Sequence, residues 1–321
     1  MTMKVRHLPY AAAVLVAAGL APAAEAQNEG AVVDAIPVRR PPVQERVEMA
    51  ATSAWAADFA ADSCSLTRTF GAGGSSVTLR LKQFEPQPSI EVTLASETVK
   101  LKPRDPRYAF ADGEPRDIAF FQTFRLGEGL SGATFEASPP LPHPGGTTQT
   151  DLPAARDPAM HAVDTMTVRD LFERDLTLRM GSLQQPLAVM TTCLDDLLTS
   201  WGLDAAAHRS LTRRVTEKNP GTENNPGEVW PGKFKHPMPQ IARWPADKMD
   251  FILLVDESGS VEQCRLVGGL AEDAKLAENI CEGMPKGWAF DPALDANGRA
   301  IRSYHRATFI KSVRTTVSGV Y

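Results

Sequence analysis

Apolar and polar residues alternate with a period of two across Ser75–Lys82. Val77, Leu79 and Leu81 fall on one face, and Thr78, Arg80 and Lys82 on the other. That spacing predicts a strand with one buried face. Ile90–Leu94 repeats the pattern, and Ile118–Phe124 and Leu176–Met180 predict two more strands. Gly71–Gly74, just ahead of the first run, supplies a hairpin turn. The period then changes. Leu187, Met190, Leu194, Leu197 and Trp201 recur at helical spacing, which predicts a helix over Ser182–Trp201, with Ser182 as its cap and Gly202 as its stop.

Beyond a stretch rich in Pro, Gly and Asn from Asn219 to Lys235, a second set of elements follows. Phe251, Leu253 and Val255 alternate with Ile252 and Leu254, which predicts a well-buried strand. Asp256–Gly259 turns the chain into a second strand, Val261–Val267, completing a hairpin. Asp273–Met284 has helical spacing at Leu276, Ile280 and Met284. Asp295–Gly298 is another turn. Arg302–Ser312 is the last strand, with Tyr304, Arg306, Thr308 and Ile310 on one side and His305, Ala307, Phe309 and Lys311 on the other. The expected fold class is α+β. A β-rich domain ending in one long helix (53–205) would be joined by a linker (206–235) to a small antiparallel sheet with a packed helix (236–321). Residues 138–158, crowded with Pro, Gly and Thr, read as a long loop.

The N-terminus alters where such a protein would work. Lys4, Arg6 and His7 precede an apolar stretch from Leu8 to Ala24, and Ala24-Glu25-Ala26 is a small-x-small site. This order is that of a cleavable secretory signal over residues 1–26. Pro9 and Pro22 bound an apolar run shorter than a bilayer span needs. The polar residues 27–52 read as a flexible lead-in. The expected location is therefore the periplasm, with the mature chain soluble. The net charge of −5 over 321 residues gives no reason to expect nucleic acid as a partner.

Four cysteines, Cys64, Cys193, Cys264 and Cys281, form an even set in an exported chain. Two disulfides follow as the expectation. Four cysteines allow three connectivities; Cys64–Cys193 with Cys264–Cys281 keeps each link within one domain.

The sequence carries no recognisable catalytic constellation. The sequence has no HExxH, GxSxG or phosphate loop, and no close Cys/His set that would hold zinc. His143, His161, His208, His236 and His305 are scattered. Asp195 and Asp196 are adjacent on a helix and so point in different directions. No catalytic residue, cofactor or metal is expected.

The C-terminal motifs, taken in order, resemble the TonB C-terminal domain family. They are Pro237-Met238-Pro239, the Asp-x-x-Gly-x-Val turn at Asp256–Val261, an alanine-rich helix, and Phe290-Asp291-Pro292-Ala293 followed by Asp295–Gly298. A Cys264–Cys281 link between the second strand and the helix is similar to a decoration of some members. The resemblance implies a small antiparallel sheet with a helix on one face. It also implies a partner in the envelope, such as an outer-membrane receptor, that pairs with an exposed strand edge. Ser303, Tyr304, His305, Arg306, Ala307, Thr308, Phe309 and Ile310 form the candidate edge; the alternative is that the tail, 313–321, covers it. The implied function is a non-catalytic envelope interaction protein. Two other readings stay open: a membrane-anchored energy transducer of the TonB type, and an exported hydrolase whose site only folding assembles.

Overall fold

A computed structural model describes residues 45–127, 129–138, 153–218, 248–268, 278, 281–282 and 289–310. The first part of the chain builds one large mixed sheet. Its strands are β1 (Arg46–Ala51), β2 (Ala56–Phe59), β3 (Cys64–Ala72), β4 (Ser75–Gln83), β5 (Ile90–Ser96), β6 (Arg107–Phe110), β7 (Arg116–Asp117), β8 (Phe121–Leu126), β9 (Leu130–Ala137), β10 (Thr165–Arg169) and β11 (Asp175–Arg179). They lie in the order β7-β6-β10-β11-β1-β3-β4-β5-β9-β8, with β2 also paired to β3. All neighbours are antiparallel except β1 and β11, which run parallel. The alternation at β4 and β5 does what the pattern requires: Val77, Leu79, Leu81, Ile90, Val92 and Leu94 are all buried.

The strand β1 corrects the reading of residues 27–52 as a flexible lead-in. Arg46–Ala51 is a strand in the interior of the sheet, between β11 and β3. Met49 is fully buried there, while Glu48 faces outward to pair with Arg179. Most of its pairing is with β11, far along the chain, so little local pattern marks it as sheet. The strand expected at Ile118–Phe124 is shifted to β8, and residues 153–158 of the expected loop belong to a 3-10 turn at Ala154–Arg156 and to the helix α1 (Pro158–His161). Asp157 caps α1 by accepting a hydrogen bond from the Ala159 amide at 2.8 Å.

Helix α2 (Gln184–Ser200) buries Leu187, Met190, Cys193, Leu194, Leu197 and Leu198 against this sheet. Cys193 is bonded to Cys64 of β3, with the Cα atoms 6.0 Å apart, which ties the helix to the sheet. Asp195 fastens the other side of α2. It binds Arg156 at 2.5 Å and also holds Arg209, while Asp196 is exposed. Helix α3 (Ala205–His208) and β12 (Thr216–Glu217) follow. They correct the reading of 206–235 as linker over its described part, because His208 and Val215 are buried.

The C-terminal strands are β13 (Lys248–Val255), β14 (Val261–Gly268), β15 (Phe290–Asp291), β16 (Ala293–Leu294), β17 (Ala300–Ile301) and β18 (Ser303–Ile310). Three of them make an antiparallel sheet in the order β14-β13-β18. The short β15 pairs with β12, and β16 with β17. Cys264 of β14 is bonded to Cys281, which lies in a helical turn with Glu282. Most of the helix expected over Asp273–Met284 lies outside the described residues, as does the leader, 1–26.

The expected fold class is corrected. The described chain is mostly β, with one helix of 17 residues and two of four, and one face of the C-terminal sheet shares the core of the large sheet. Ile252, Leu254 and Val267 belong to the same hydrophobic core as the large sheet and α2. Met249, Phe251, Leu253 and Val255, on the other face of β13, join Val215, Phe290, Ala293 and Ala307 in a second core. A strand apolar at successive positions has two faces to bury, and one helix covers only one of them. Here the main body covers one face of β13.

Candidate functional site

The candidate edge β18 lies against the main body through a polar seam. The turn between β4 and β5, Phe84–Ser89, forms one side of it. Buried Gln83 shapes that turn by donating through Nε2 to the carbonyls of Gln87 and Ser89, both at 2.9 Å. Tyr304 donates its hydroxyl to the Pro86 carbonyl at 2.8 Å, and Arg214 Nη1 donates to the same carbonyl at 3.0 Å. Arg306 sits at the centre. It donates to Gln87 Oε1 at 2.5 Å, to Glu136 at 2.9 Å and to Asp250 at 3.1 Å, and lies 3.7 Å from Glu85. Its guanidinium also lies over the Phe84 ring, 5.4 Å from the centroid.

Charge and burial compete strongly here. Glu85 is only 2% exposed. Burial pushes its carboxyl up to about 7; Arg306 opposes this, while Asp250 and Glu136 add to it. Burial alone lowers the pKa of Arg306, but Glu85, Asp250 and Glu136 outweigh it and hold the guanidinium firmly charged. Burial likewise raises the Tyr304 phenol and lowers His208. His208 stacks on Tyr304, with centroids 6.0 Å apart, and its Nε2 lies 2.9 Å from Ser303 Oγ.

The eight candidate residues thus have different surroundings. Tyr304 and Arg306 face the main body. His305 and Ala307 face the second core, where His305 Nε2 is 3.2 Å from Glu217 and its ring 4.9 Å from that of Phe290, while Ser303 meets His208. Thr308 is exposed, and its hydroxyl donates to Asp250 at 2.6 Å. Phe309 and Ile310 continue the pairing with Met249 and Lys248.

A cavity of 130 Å³ adjoins Ser303–Arg306, walled by Glu85 and Gln87 and by Leu211, Arg214 and Val215. Successive strand residues point to opposite faces. A cavity that touches four in a row therefore lies at the strand's outer edge, opposite β13. The segment 211–217 closes its far wall and is anchored by Arg213 to the Pro292 carbonyl and by the β12–β15 pairing. The edge is consequently divided. Ser303–Arg306 is covered by the chain itself, whereas beside Ala307–Ile310 no further strand pairs among the described residues.

Sequence reasoning missed Glu85, Gln87, Glu136, Arg214 and Asp250. Phe84-Glu85-Pro86-Gln87-Pro88 has no periodicity, and its burial depends on β18, more than two hundred residues later. Among the described residues, no group of three or more His, Cys, Asp or Glu is placed to hold a metal. His143 and His236 lie outside the described residues, and His161 bonds the Ala155 carbonyl at 2.9 Å. A second recess, of 540 Å³, lies between β2 and the start of α2, lined by Trp55, Leu66, Pro186 and Val189 among others; among the described residues no charged side chain lines it.

Two disulfides mark an oxidising, exported setting. No described helix is long and apolar enough to cross a membrane. The chain matches no protein-family model, no curated protein and no solved structure.

Proposed function

We propose that the protein is a non-catalytic component of the periplasm whose C-terminal sheet pairs, through β18, with an extended segment of another envelope protein. The observation that carries this reading is the position of β18. It ends the order β14-β13-β18, and Ala307–Ile310 extends past the segment that covers its first half. An unpaired strand edge offers a row of backbone donors and acceptors to any extended chain of matching register. The order of strands and turns in the resemblance to TonB C-terminal domains supports the same partner class, an outer-membrane receptor segment. The seam at Arg306 keeps the edge rigid, so a partner loses only its own freedom on binding.

Photo-crosslinking tests this reading. A photoreactive residue replaces exposed Thr308 on β18, and, as a control, exposed Gln263 on the opposite outer strand. In envelope preparations the Thr308 position gives a discrete adduct and the Gln263 position none. Equal labelling at both positions, or none at either, refutes strand pairing. Export through a cleaved leader is tested by intact mass: the mature protein begins at Gln27, and retention of 1–26 contradicts it.

A further inference from the structure

The large sheet has a vacant strand position beside β2. This strand continues the line of β1 along β3: Ala50 and Ala51 pair with Gly71 and Phe70, and Ala56–Phe59 pairs with Thr67 back to Cys64. The neighbour of β1, β11, runs beside it as far as Ala50. The chain then turns away into α2 through Gly181, at a φ of +65°. Among the described residues, nothing pairs with β2 on the side away from β3. The recess of 540 Å³ lies between β2 and the residues that follow β11, and its size is within the range of ligand sites, about 300–1,000 Å³. Ala57 and Leu66, opposite each other on β2 and β3, form its floor; Trp55 stands on one side, Pro186 and Val189 on the other.

Both walls are held in place before anything binds. The Arg68 guanidinium lies over the Trp55 ring, 5.6 Å from its centroid, and donates to the carbonyls of Ser53 at 2.8 Å and Met180 at 2.6 Å. Cys193, one turn beyond Val189, is bonded to Cys64 of β3. A site already shaped leaves only the ligand's freedom to be lost. The surroundings select the occupant. Four large hydrophobic side chains stand exposed among the described residues, and two of them flank this recess: Val189, 42% exposed, and Phe59, 51% exposed and paired with Cys64. Exposed apolar side chains grouped in this way mark a surface for another protein. Among the described residues no charged side chain lines the recess, so a charge buried there would be left unpaired. Trp55, Gln184 and Gln185 also suit a neutral sugar, but neither an open strand edge nor exposed Phe59 and Val189 serves sugar hydroxyls.

We infer that the position beside β2 is a second docking site, for an extended segment of a partner protein that carries one large uncharged side chain. The segment pairs with the free edge of β2, in the line that β11 leaves at Gly181. Successive side chains of a strand point to opposite faces, so every second one falls on the face of Ala57 and Leu66. The large side chain enters the recess there, between Trp55 and Val189. Main-chain pairing supplies the affinity, and the recess the preference among sequences. This site does not depend on the availability of β18.

The test titrates the full oxidised chain with acetyl-Ser-Thr-Leu-Thr-Ser-amide, following the backbone amides of Ala56–Phe59 and the methyl signals of Ala57 and Val189 by NMR. These signals shift saturably, with Kd roughly 0.1–1 mM for so short a ligand, and hydrogen exchange slows over β2. Counterparts with Lys or Asp in place of the Leu bind about ten-fold more weakly or worse. So does the peptide N-methylated at the Leu and the following Thr, which lacks the main-chain donors that pairing needs. Val189→Lys, at an exposed helix position, weakens binding by a similar factor and leaves the unfolding midpoint unchanged. No saturable shift, equal binding of the Lys or the N-methylated peptide, or undiminished binding by Val189→Lys overturns the inference. Shifts confined to Ala307–Ile310 also overturn it, while leaving the pairing proposed for β18 intact. Shifts at Ala57 and Val189 with maltohexaose, and none with the peptide, overturn it in favour of a sugar site.

Discussion

Replacing Glu85 by Gln changes the pH dependence of stability in a direction that the seam dictates. The carboxyl titrates near 7 in the folded protein, against an ordinary value of 4.5. A carboxyl whose folded pKa is raised keeps a proton that the unfolded chain has already released. Its contribution is therefore fully present below about pH 4.5, declines as pH rises towards 7, and is gone above that. At 1.36 kcal/mol per unit, the difference amounts to about 3 kcal/mol. His208 acts with the opposite sign. Burial lowers its pKa, so its contribution is lost as pH falls below about 6.5. The two slopes partly cancel, and only the difference between the parent and Glu85→Gln isolates Glu85. Urea unfolding of both proteins in half-unit steps from pH 4.5 to 9, with disulfides intact, measures it. Glu85→Gln is expected to match the parent near pH 4.5 and to exceed it by about 3 kcal/mol at pH 8. Parallel curves over the whole range refute the argument that Glu85 is buried beside an excess of carboxylate.

Three other outcomes follow from the same contacts. Arg306→Met keeps the stem and leaves Asp250 and Glu85 buried without their cation, so urea unfolding at pH 8 shows a loss of about 3–5 kcal/mol; a loss below 1 kcal/mol contradicts the central place given to this guanidinium. Replacing Cys64 and Cys193 together by Ser opens a link between residues 129 apart in sequence, and the chain-entropy model gives a loss of about 5 kcal/mol, against about 3 kcal/mol for the Cys264–Cys281 link across 17. Gly259→Ala places a methyl group 1.9 Å from the Phe290 carbonyl oxygen at a backbone φ of +87°, and thermal unfolding should show a loss of about 2–3 kcal/mol.

The parts of this fold that were legible in the sequence are those set by local pattern. The period of two marks β4 and β5, helical spacing marks α2, and the unbroken apolar run Phe251–Val255 marks a well-buried strand. Asp256–Gly259 and Asp295–Gly298 turn where their residues favour it. What sequence does not carry is the identity of the surface that meets each face. The run in β13 reads as part of a separate C-terminal sheet, because nothing local says that Ile252 and Leu254 pack with the large sheet. The seam is hidden for the same reason: Glu85 and Arg306 look like surface charges until β18 is laid across the β4–β5 turn. The covering segment at Leu211–Glu217 lacks any periodic signal, so the edge read as eight equivalent residues is two unequal halves.

The availability of that edge is measured most directly by residue-resolved hydrogen exchange of β18 in the purified, oxidised chain. In an edge strand, amides alternate between those bonded to the neighbouring strand and those that point outward. This alternation is expected over Ala307–Ile310, with every second amide exchanging quickly and the others protected by β13. Uniform protection along these four residues would show that the edge is already paired within the chain, and would contradict its use as a docking strand.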